Sequence, residues 1–190
     1  MDANLETGFL LDRRWHLLRG EMQSTKKPVL IALARILLEA GAPYAIIGGI
    51  AVQVHRREPR TTLDIDLAVL DREAIPAQRL IAAGFRETGR FAHSVNWVGD
   101  EATPVQFTDD PLLATAVVRA QSIDLDGVPL RVIRPEELLH EKLRAGSDPS
   151  RRRSKRLQDL ADAEGLLEDR PGLEAELRDD ERALLARYRG

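Results

Sequence analysis

The sequence predicts an α+β domain in which one mixed β-sheet is flanked by helices and followed by a helical C-terminus. Three observations support this prediction. An apolar strand, a helix and an alternating strand follow one another between residues 44 and 70, and two later segments carry hairpin signals. From about residue 135 onward the pattern is helical. We therefore assign an α+β core with N-terminal helices to residues 1–135 and a C-terminal helical region to residues 136–190.

The composition limits the classes of protein to consider. With 190 residues, the chain is long enough for one well-cored domain and too short for two large ones. It contains no cysteine, so disulfides, thiolate metal sites and a cysteine nucleophile are excluded, and any metal must bind to oxygen or imidazole. No apolar run approaches the roughly 18 residues of a membrane span, and the N-terminus has no cleavable apolar core. We therefore expect a cytoplasmic protein without membrane contact.

Helices and a short strand are predicted in the first quarter of the chain. Residues 4–20 are amphipathic, and "KPVLIALARILLEAGAP" predicts a second helix that stops at Gly41. The stretch "YAII" is typical of a short buried strand, and "GGIAVQVHRR" then turns directly into a helix. The order of strand, glycine pair and helix is the first element of a candidate site.

The stretch "TLDIDLAVL" predicts the next strand. Its alternation assigns three apolar residues to one face and two acidic residues to the other: Leu63, Ile65 and Leu67 against Asp64 and Asp66. One face of this strand should therefore be polar and open to solvent.

The remaining elements alternate between helices and hairpins. The predicted elements are a helix in "EAIPAQRLIAAGF" ended by Gly84, a hairpin of "HSVNWV" and "TPVQFT", a helix opened by Asp110 and Pro111, a hairpin around Asp126 and Gly127, and helices from residue 134 to the end.

Asp64 and Asp66 suggest a metal site. Carboxylates at positions i and i+2 of a strand lie about 7 Å apart at the backbone, and their side chains can lean together. Two ionised and partly buried carboxylates raise each other's pKa, and a divalent cation removes this conflict. Mg²⁺ typically binds one or two carboxylates together with substrate phosphates. A surface pair without function remains the alternative for this motif taken alone.

Gly48 and Gly49 suggest a phosphate site. The pair follows a strand and opens a helix, where free backbone N–H groups and the helix dipole favour an anion. The absence of side chains lets a phosphate approach the backbone closely. A tight turn without a ligand is the alternative, but an acidic doublet about 15 residues later makes chance less plausible.

The stretch "YAIIGGIAVQVHRREPRTTLDIDLAV" resembles the signature of the nucleotidyltransferase superfamily, in which a Gly-Gly or Gly-Ser turn precedes an Asp-x-Asp strand. Its spacing is most similar to the AbiEii and MenT type, the nucleotidyltransferase-like toxins of bacterial toxin–antitoxin systems. Members of that type also tend to carry a later helical lysine and an Asp-x-x-Asp helix. Here "EELLHEKLRAG" supplies Lys142, and "KRLQDLADAEGLL" supplies Asp159 and Asp162.

The resemblance implies a nucleotidyltransferase-like fold and roles for eight residues. The residues that would bind the nucleotide are Gly48, Gly49, Arg60 and Thr62. The catalytic residues would be Asp64, Asp66, Lys142 and Asp159, of which Asp64 and Asp66 would also hold the metal. Lys142 would neutralise phosphate charge. Asp159 would either orient Lys142 or act on the acceptor hydroxyl, and the sequence does not separate these roles.

The function implied is transfer of NMP from an NTP to an acceptor hydroxyl with Mg²⁺ or Mn²⁺ as cofactor. The likeness names the tRNA 3′ end as an acceptor and a protein antitoxin as a partner. Polymerase-like members of the superfamily add a third carboxylate, and the residue at the matching position here is Gln106. An amide is not a base and brings no negative charge to a metal. The alternative is therefore a weak or inactive module that binds a nucleotide or partner.

Charge is distributed unevenly along the C-terminal part of the chain. Residues 131–156 contain nine basic and four acidic side chains, whereas residues 157–181 contain ten acidic and two basic ones. The stretch "RRRSKR" suits an RNA backbone and equally suits a solvated loop. The acidic stretch is a candidate docking surface for a small basic partner.

Overall fold

The protein, described by a computed structural model over residues 3–18, 26–58 and 60–190, contains eight α-helices and seven strands in that part of the chain. The helices are α1 (Ala3–Leu18), α2 (Lys27–Glu39), α3 (Gly48–His55), α4 (Ala77–Ala82), α5 (Ala114–Arg119), α6 (Pro135–Ser147), α7 (Arg153–Asp169) and α8 (Asp179–Arg189). The strands are β1 (Tyr44–Ile46), β2 (Ile65–Val69), β3 (Arg86–Arg90), β4 (Ser94–Val98), β5 (Pro104–Thr108), β6 (Gln121–Leu125) and β7 (Val128–Val132).

All seven strands belong to one mixed sheet with the order β3-β4-β5-β2-β1-β7-β6. β2 pairs antiparallel with β1 and parallel with β5, and β1 pairs parallel with β7. The other three pairings, β3 with β4, β4 with β5 and β6 with β7, are antiparallel. The predicted mixed sheet with flanking helices and a helical C-terminus is confirmed.

The turns explain why several predicted boundaries are correct. Gly41 and Gly84 have positive φ angles of 63° and 89° and follow α2 and α4 as helix stops. Asp126 and Gly127 both have positive φ, as a two-residue hairpin turn requires. The predicted end of the first helix near Gly20 lies outside the described residues.

One side-chain assignment is wrong. Leu63 was expected to share the apolar face with Ile65 and Leu67, but it is 60% exposed, and β2 begins only at Ile65. The reason is that Thr62 is buried and its N–H donates to Asp12 of α1, which holds the chain away from the sheet. Asp64 therefore precedes the strand.

Three element predictions need correction as well. The helix predicted around α4 is shorter, because its first part is the 3₁₀ turn Arg72–Ala74, which Pro76 separates from α4. The edge strand β3 was missed. The helix predicted after residue 170 is interrupted, since a 3₁₀ helix (Pro171–Glu176) precedes α8.

The core joins the sheet to the C-terminal helices. One hydrophobic cluster contains Ile46 and Leu67 of the sheet together with Leu138, Leu166 and Leu185 of α6, α7 and α8. Within the described ranges, no helix is long and apolar enough to span a membrane. The division at residues 135 and 136 stays a prediction.

Candidate active site

A cavity of about 670 Å³ opens where the start of α3, the start of β2 and the end of β5 face helices α6 and α7. All eight residues predicted for the site line it: Gly48, Gly49, Arg60, Thr62, Asp64, Asp66, Lys142 and Asp159. The structure thus brings together residues that are up to 111 positions apart in the sequence.

The glycine pair packs directly against the acidic strand. Gly48 has a positive φ of 62°, and a Cβ atom there would collide with Oδ2 of Asp66. A Cβ atom at Gly49 would collide with Oγ1 of Thr62. The Ile47 N–H donates to the backbone oxygen of Asp66 at 2.9 Å. The glycines are therefore required by close contact with Asp66 and Thr62, a reason that the sequence argument about phosphate approach did not include.

Asp64 is oriented by its neighbours. Oγ1 of Thr62 donates to Oδ1 of Asp64 at 3.0 Å, and the Thr62 N–H donates to Oδ1 of Asp12 at 3.3 Å. Asp12 also forms a buried ion pair of 2.6 Å with Lys26. The N-terminal helix thus supports the loop that carries the first aspartate. Sequence reasoning missed Asp12 because the contact spans 50 residues.

The acidic pair has the electrostatics of a cation site. Desolvation, followed by repulsion from Asp64, raises the pKa of Asp66 to about 7, while the cations of Lys142, Lys155 and Arg151 oppose the shift. A divalent cation next to both carboxylates would relieve this repulsion. No group of three His, Asp or Glu side chains among the described residues could hold a metal. The pair nevertheless fits Mg²⁺ or Mn²⁺, because phosphate oxygens of a substrate can complete the ligand set.

Lys142 is held by two carboxylates of α7. Its Nζ lies 2.8 Å from Oδ1 of Asp159 and 2.9 Å from Oδ2 of Asp162. Asp162 also pairs with Arg60, and Oδ2 of Asp159 pairs with Arg151 at 3.1 Å. Both oxygens of Asp159 are thus engaged by cations, an arrangement that favours orientation of Lys142 over action on the acceptor hydroxyl.

Further cations of the basic stretch reach the cavity. Arg151 and Lys155 line it, whereas Arg152 and Arg153 are exposed without lining it. The stretch therefore does not form only a solvated loop, since α7 begins at Arg153 and directs part of the stretch toward the site. Lys155 lies in the first turn of α7 whereas Arg151 precedes the helix, so no helical spacing in the sequence marks this pair.

Gln106 occupies the predicted position of the third carboxylate. It lies on β5 in register with Asp66 of the parallel strand β2. Of the nearby acids, Asp109 pairs with Arg72, which lowers its pKa through a side-chain hydrogen bond. Asp124 lies on β6 and does not line the cavity, whereas Asp110 does. An amide therefore stands beside the acidic pair.

The fold and this cavity define a nucleotidyltransferase-like protein. Residues 26–176 match the family described as nucleotidyl transferase of unknown function (DUF2204), and the chain belongs to this family. No curated protein sequence matches the chain.

Three solved structures with a similar fold illustrate the likeness. An antigenic nucleotidyltransferase-like protein from Paracoccidioides brasiliensis has a TM-score of 0.51 and 22% identity, covering 84% of this chain and 91% of that one. ANT(2″)-Ia in complex with adenylyl-2″-tobramycin has a TM-score of 0.57 and 16% identity, covering 87% and 99%. JHP933 from Helicobacter pylori has a TM-score of 0.55 and 16% identity, covering 86% and 72%. At these identities the likeness concerns the fold alone.

Proposed function

We propose that the protein is a metal-dependent nucleotidyltransferase that moves NMP from an NTP to an acceptor hydroxyl. The observation that carries this proposal is the contact between the Gly48-Gly49 bend and Asp66 at the wall of one cavity. A backbone that favours phosphate and a carboxylate pair that favours a divalent cation are thereby next to each other.

Different residues of the cavity have different roles in the reaction. The N–H groups at the start of α3 bind the triphosphate, and Lys142, Arg151 and Lys155 neutralise its charge. Asp64 and Asp66 hold Mg²⁺ or Mn²⁺, which supplies positive charge against the phosphate oxygens. Transfer at phosphorus needs positioning and electrostatic stabilisation more than covalent chemistry.

The acceptor we propose is an RNA, with the tRNA 3′ end as the specific case. The exposed basic residues Arg152 and Arg153 follow Arg151 beside the cavity, where they suit an RNA backbone. With the resemblance to AbiEii and MenT proteins, this supports a role as the toxin of a toxin–antitoxin pair with a protein antitoxin as partner.

Label transfer tests the proposal. Purified protein is incubated with Mg²⁺, each α-labelled NTP in turn and total RNA, and incorporation into RNA is measured. We expect transfer with at least one NTP, loss of transfer in Asp64→Ala and Asp66→Ala, and retention in Glu168→Gln, which changes an exposed residue of α7. Absence of transfer from all four NTPs would contradict the proposed RNA acceptor.

Gln106 favours a second candidate, a nucleotide-binding module without turnover. This candidate predicts that Mg²⁺ and an NTP raise the melting temperature by mass action while no acceptor is labelled. It also predicts that Asp64→Ala has the same effect on a host cell as the unchanged protein.

A further inference from the structure

We propose that Glu141 accepts the proton of the acceptor hydroxyl, and that a sugar hydroxyl approaches it through a second cavity next to the nucleotide site. This inference rests on the proposed function and adds to it the base that Gln106 cannot supply.

Six carboxylates line the nucleotide cavity within the described part of the chain: Asp12, Asp64, Asp66, Asp110, Glu141 and Asp159. Asp64 and Asp66 are the proposed metal ligands, so four others remain as candidate bases. A base needs a carboxylate oxygen that can accept the hydroxyl proton. The contacts of the four therefore decide between them.

Two of the four have both oxygens engaged. Oδ1 and Oδ2 of Asp159 pair with Lys142 and Arg151. Oδ1 of Asp12 accepts from the Thr62 N–H, and its Oδ2 pairs with Lys26. Every oxygen of these two carboxylates is therefore already paired with a donor or a cation.

The other two candidates, Asp110 and Glu141, both pair with Arg144 but differ in what their second oxygen contacts. Oδ1 of Asp110 accepts from the Leu112 N–H at 3.0 Å, and its Oδ2 pairs with Arg144 at 2.8 Å. Arg144 donates a hydrogen bond to Oε2 of Glu141 through Nε at 2.8 Å, and its closest approach, Nη2 at 2.6 Å, is to the same oxygen. Oε1 of Glu141 has no hydrogen-bond partner among the described residues, so Glu141 has a spare oxygen at the cavity.

The surroundings make this oxygen more basic than that of an ordinary carboxylate. Burial raises the pKa of Glu141 and nearby Asp110 adds to the rise, while the positive charges of Arg144 and Lys142 oppose it. A base is more effective when its pKa lies nearer the working pH. The side chain remains 18% exposed, so an acceptor can reach it.

Glu141 lies on the side of the cavity where the third carboxylate is missing. Gln106 is in register with Asp66, and Asp110 follows two residues after the end of β5. Arg144 ties Asp110 to Glu141. Glu141, on α6, thus lies beyond the end of β5, the strand that carries Gln106.

A second cavity of about 740 Å³ gives access to Glu141. It lies between α5, α6 and α8 and shares Leu113, Glu141 and Arg144 with the nucleotide cavity. Among the described residues, the lining carries six carboxylates and four arginines, so the hydroxyl groups of an acceptor find both hydrogen-bond acceptors and donors there. This lining suits a sugar ring, either the terminal ribose of an RNA or a small sugar.

The proposed transfer step needs no reactant besides the acceptor and the NTP. The acceptor proton moves to Oε1 of Glu141, and the acceptor oxygen forms a bond to the α-phosphorus. The bond from that phosphorus to the bridging oxygen breaks, and pyrophosphate leaves with the electron pair. Glu141 then releases its proton to solvent.

Two variants test the inference. Each is assayed with two kinds of acceptor, total RNA in one arm and a mixture of small sugars and aminosugars in the other. Glu141→Gln should reduce turnover by about 10²-fold or more while Mg²⁺ and the NTP still raise its melting temperature as in the unchanged protein. Leu184→Trp, which places a large ring in the second cavity, should raise the KM for the acceptor about tenfold with the KM for the NTP unchanged.

The control Glu168→Gln makes the same chemical change on the exposed face of α7 and should keep the original rates. Transfer by Glu141→Gln at the original rate would overturn the role of Glu141 and leave the proposed function intact. An unchanged acceptor KM in Leu184→Trp would overturn the route through the second cavity. Lack of transfer by the unchanged protein in both arms would overturn the proposed function and this inference together.

Discussion

At the scale of single residues, Gly48 connects the two halves of the site. Its positive φ angle disfavours any residue with a Cβ atom, and the side of the backbone where that atom would lie is filled by the carboxylate of Asp66. The glycine is therefore needed both for the bend and for the position of the acidic pair.

Gly48→Ala should separate these two requirements when it is compared with Gly41→Ala. Gly41 has nearly the same φ, 63°, but nothing lies within 4 Å of a Cβ atom there. We expect Gly41→Ala to lower the free energy of unfolding by about 1 kcal/mol from backbone strain alone. Gly48→Ala should lower it by about 2–4 kcal/mol, because overpacking against Asp66 adds to the strain.

Denaturant unfolding of both variants measures the difference, and nucleotide-dependent melting shows whether the site is displaced. Equal losses of stability in the two variants would show that Asp66 does not press against the bend.

Asp66 is an unfavourable charge in the metal-free protein. Since folding raises its pKa from 3.8 to about 7, the folded state binds a proton more strongly than the unfolded state does. The penalty is absent below the unfolded pKa, grows as pH rises between the two values and is complete above pH 7. A site built to bind a cation is expected to have this property without the cation.

Asp66→Asn should therefore stabilise the metal-free protein. At pH 8 we expect a gain of about 1–3 kcal/mol in the free energy of unfolding, since one pKa unit corresponds to about 1.4 kcal/mol and relaxation reduces the effect. At pH 4 the gain should vanish. Urea unfolding at both pH values, with excess chelator, provides the measurement. A loss of stability at pH 8 would mean that the carboxylate is stabilised rather than strained.

At the scale of elements, α6 and α7 function as a pair. Lys142 of α6 meets Asp159 and Asp162 of α7, and Asp162 also holds Arg60 from the loop before β2. Asp162 is 3% exposed, so it is a buried centre between two cations. Its removal would leave both cations without their shared partner.

Asp162→Asn should destabilise the protein by about 2–4 kcal/mol, because removal of one charge from a buried ion network leaves the others uncompensated. The matched change Glu174→Gln affects a side chain that is 57% exposed and lies 3.8 Å from Arg189. It should lower the free energy of unfolding by less than about 0.5 kcal/mol. Thermal unfolding compares the two. Similar melting temperatures would indicate that Lys142 and Arg60 find other partners.

The elements also show where local sequence signals suffice. Periodicity and turn residues were enough for α2, β1 and both hairpins, because their apolar faces and glycines are local signals. They did not predict β3, whose sequence "RETGR" has no apolar alternation since it is an exposed edge strand. They misplaced Leu63 because the buried contact of Thr62 with Asp12 of α1 is tertiary.

At the scale of the whole molecule, one core extends from the sheet into the C-terminal helices. Leu185 of α8 is 1% exposed and belongs to the same cluster as the sheet residue Ile46. We therefore expect the core and the helical region to unfold in one transition.

Leu185→Ala should lower the free energy of unfolding by about 2–4 kcal/mol through loss of buried volume. Leu157→Ala, at a residue that is 44% exposed on α7, should cost less than about 1 kcal/mol. Calorimetry should show one transition in both variants. Two separated transitions would instead support an independent helical region after residue 135.

The motif order predicted which residues form the site, but only the whole fold shows how they meet. Glycine and aspartate spacing led to Asp64 and Asp66, and the resemblance added Lys142 and Asp159. The spare oxygen of Glu141 depends on contacts between α6 and Asp110 in the loop that follows β5. No local pattern in the sequence contains this information.

The most direct test of the account is a crystal structure with Mn²⁺ and a non-hydrolysable NTP, in which anomalous scattering locates the metal. The account predicts a manganese peak between Asp64 and Asp66, with the triphosphate against the N–H groups of Gly48 and Gly49. A metal bound elsewhere, or a nucleotide with its phosphates away from this bend, would contradict it.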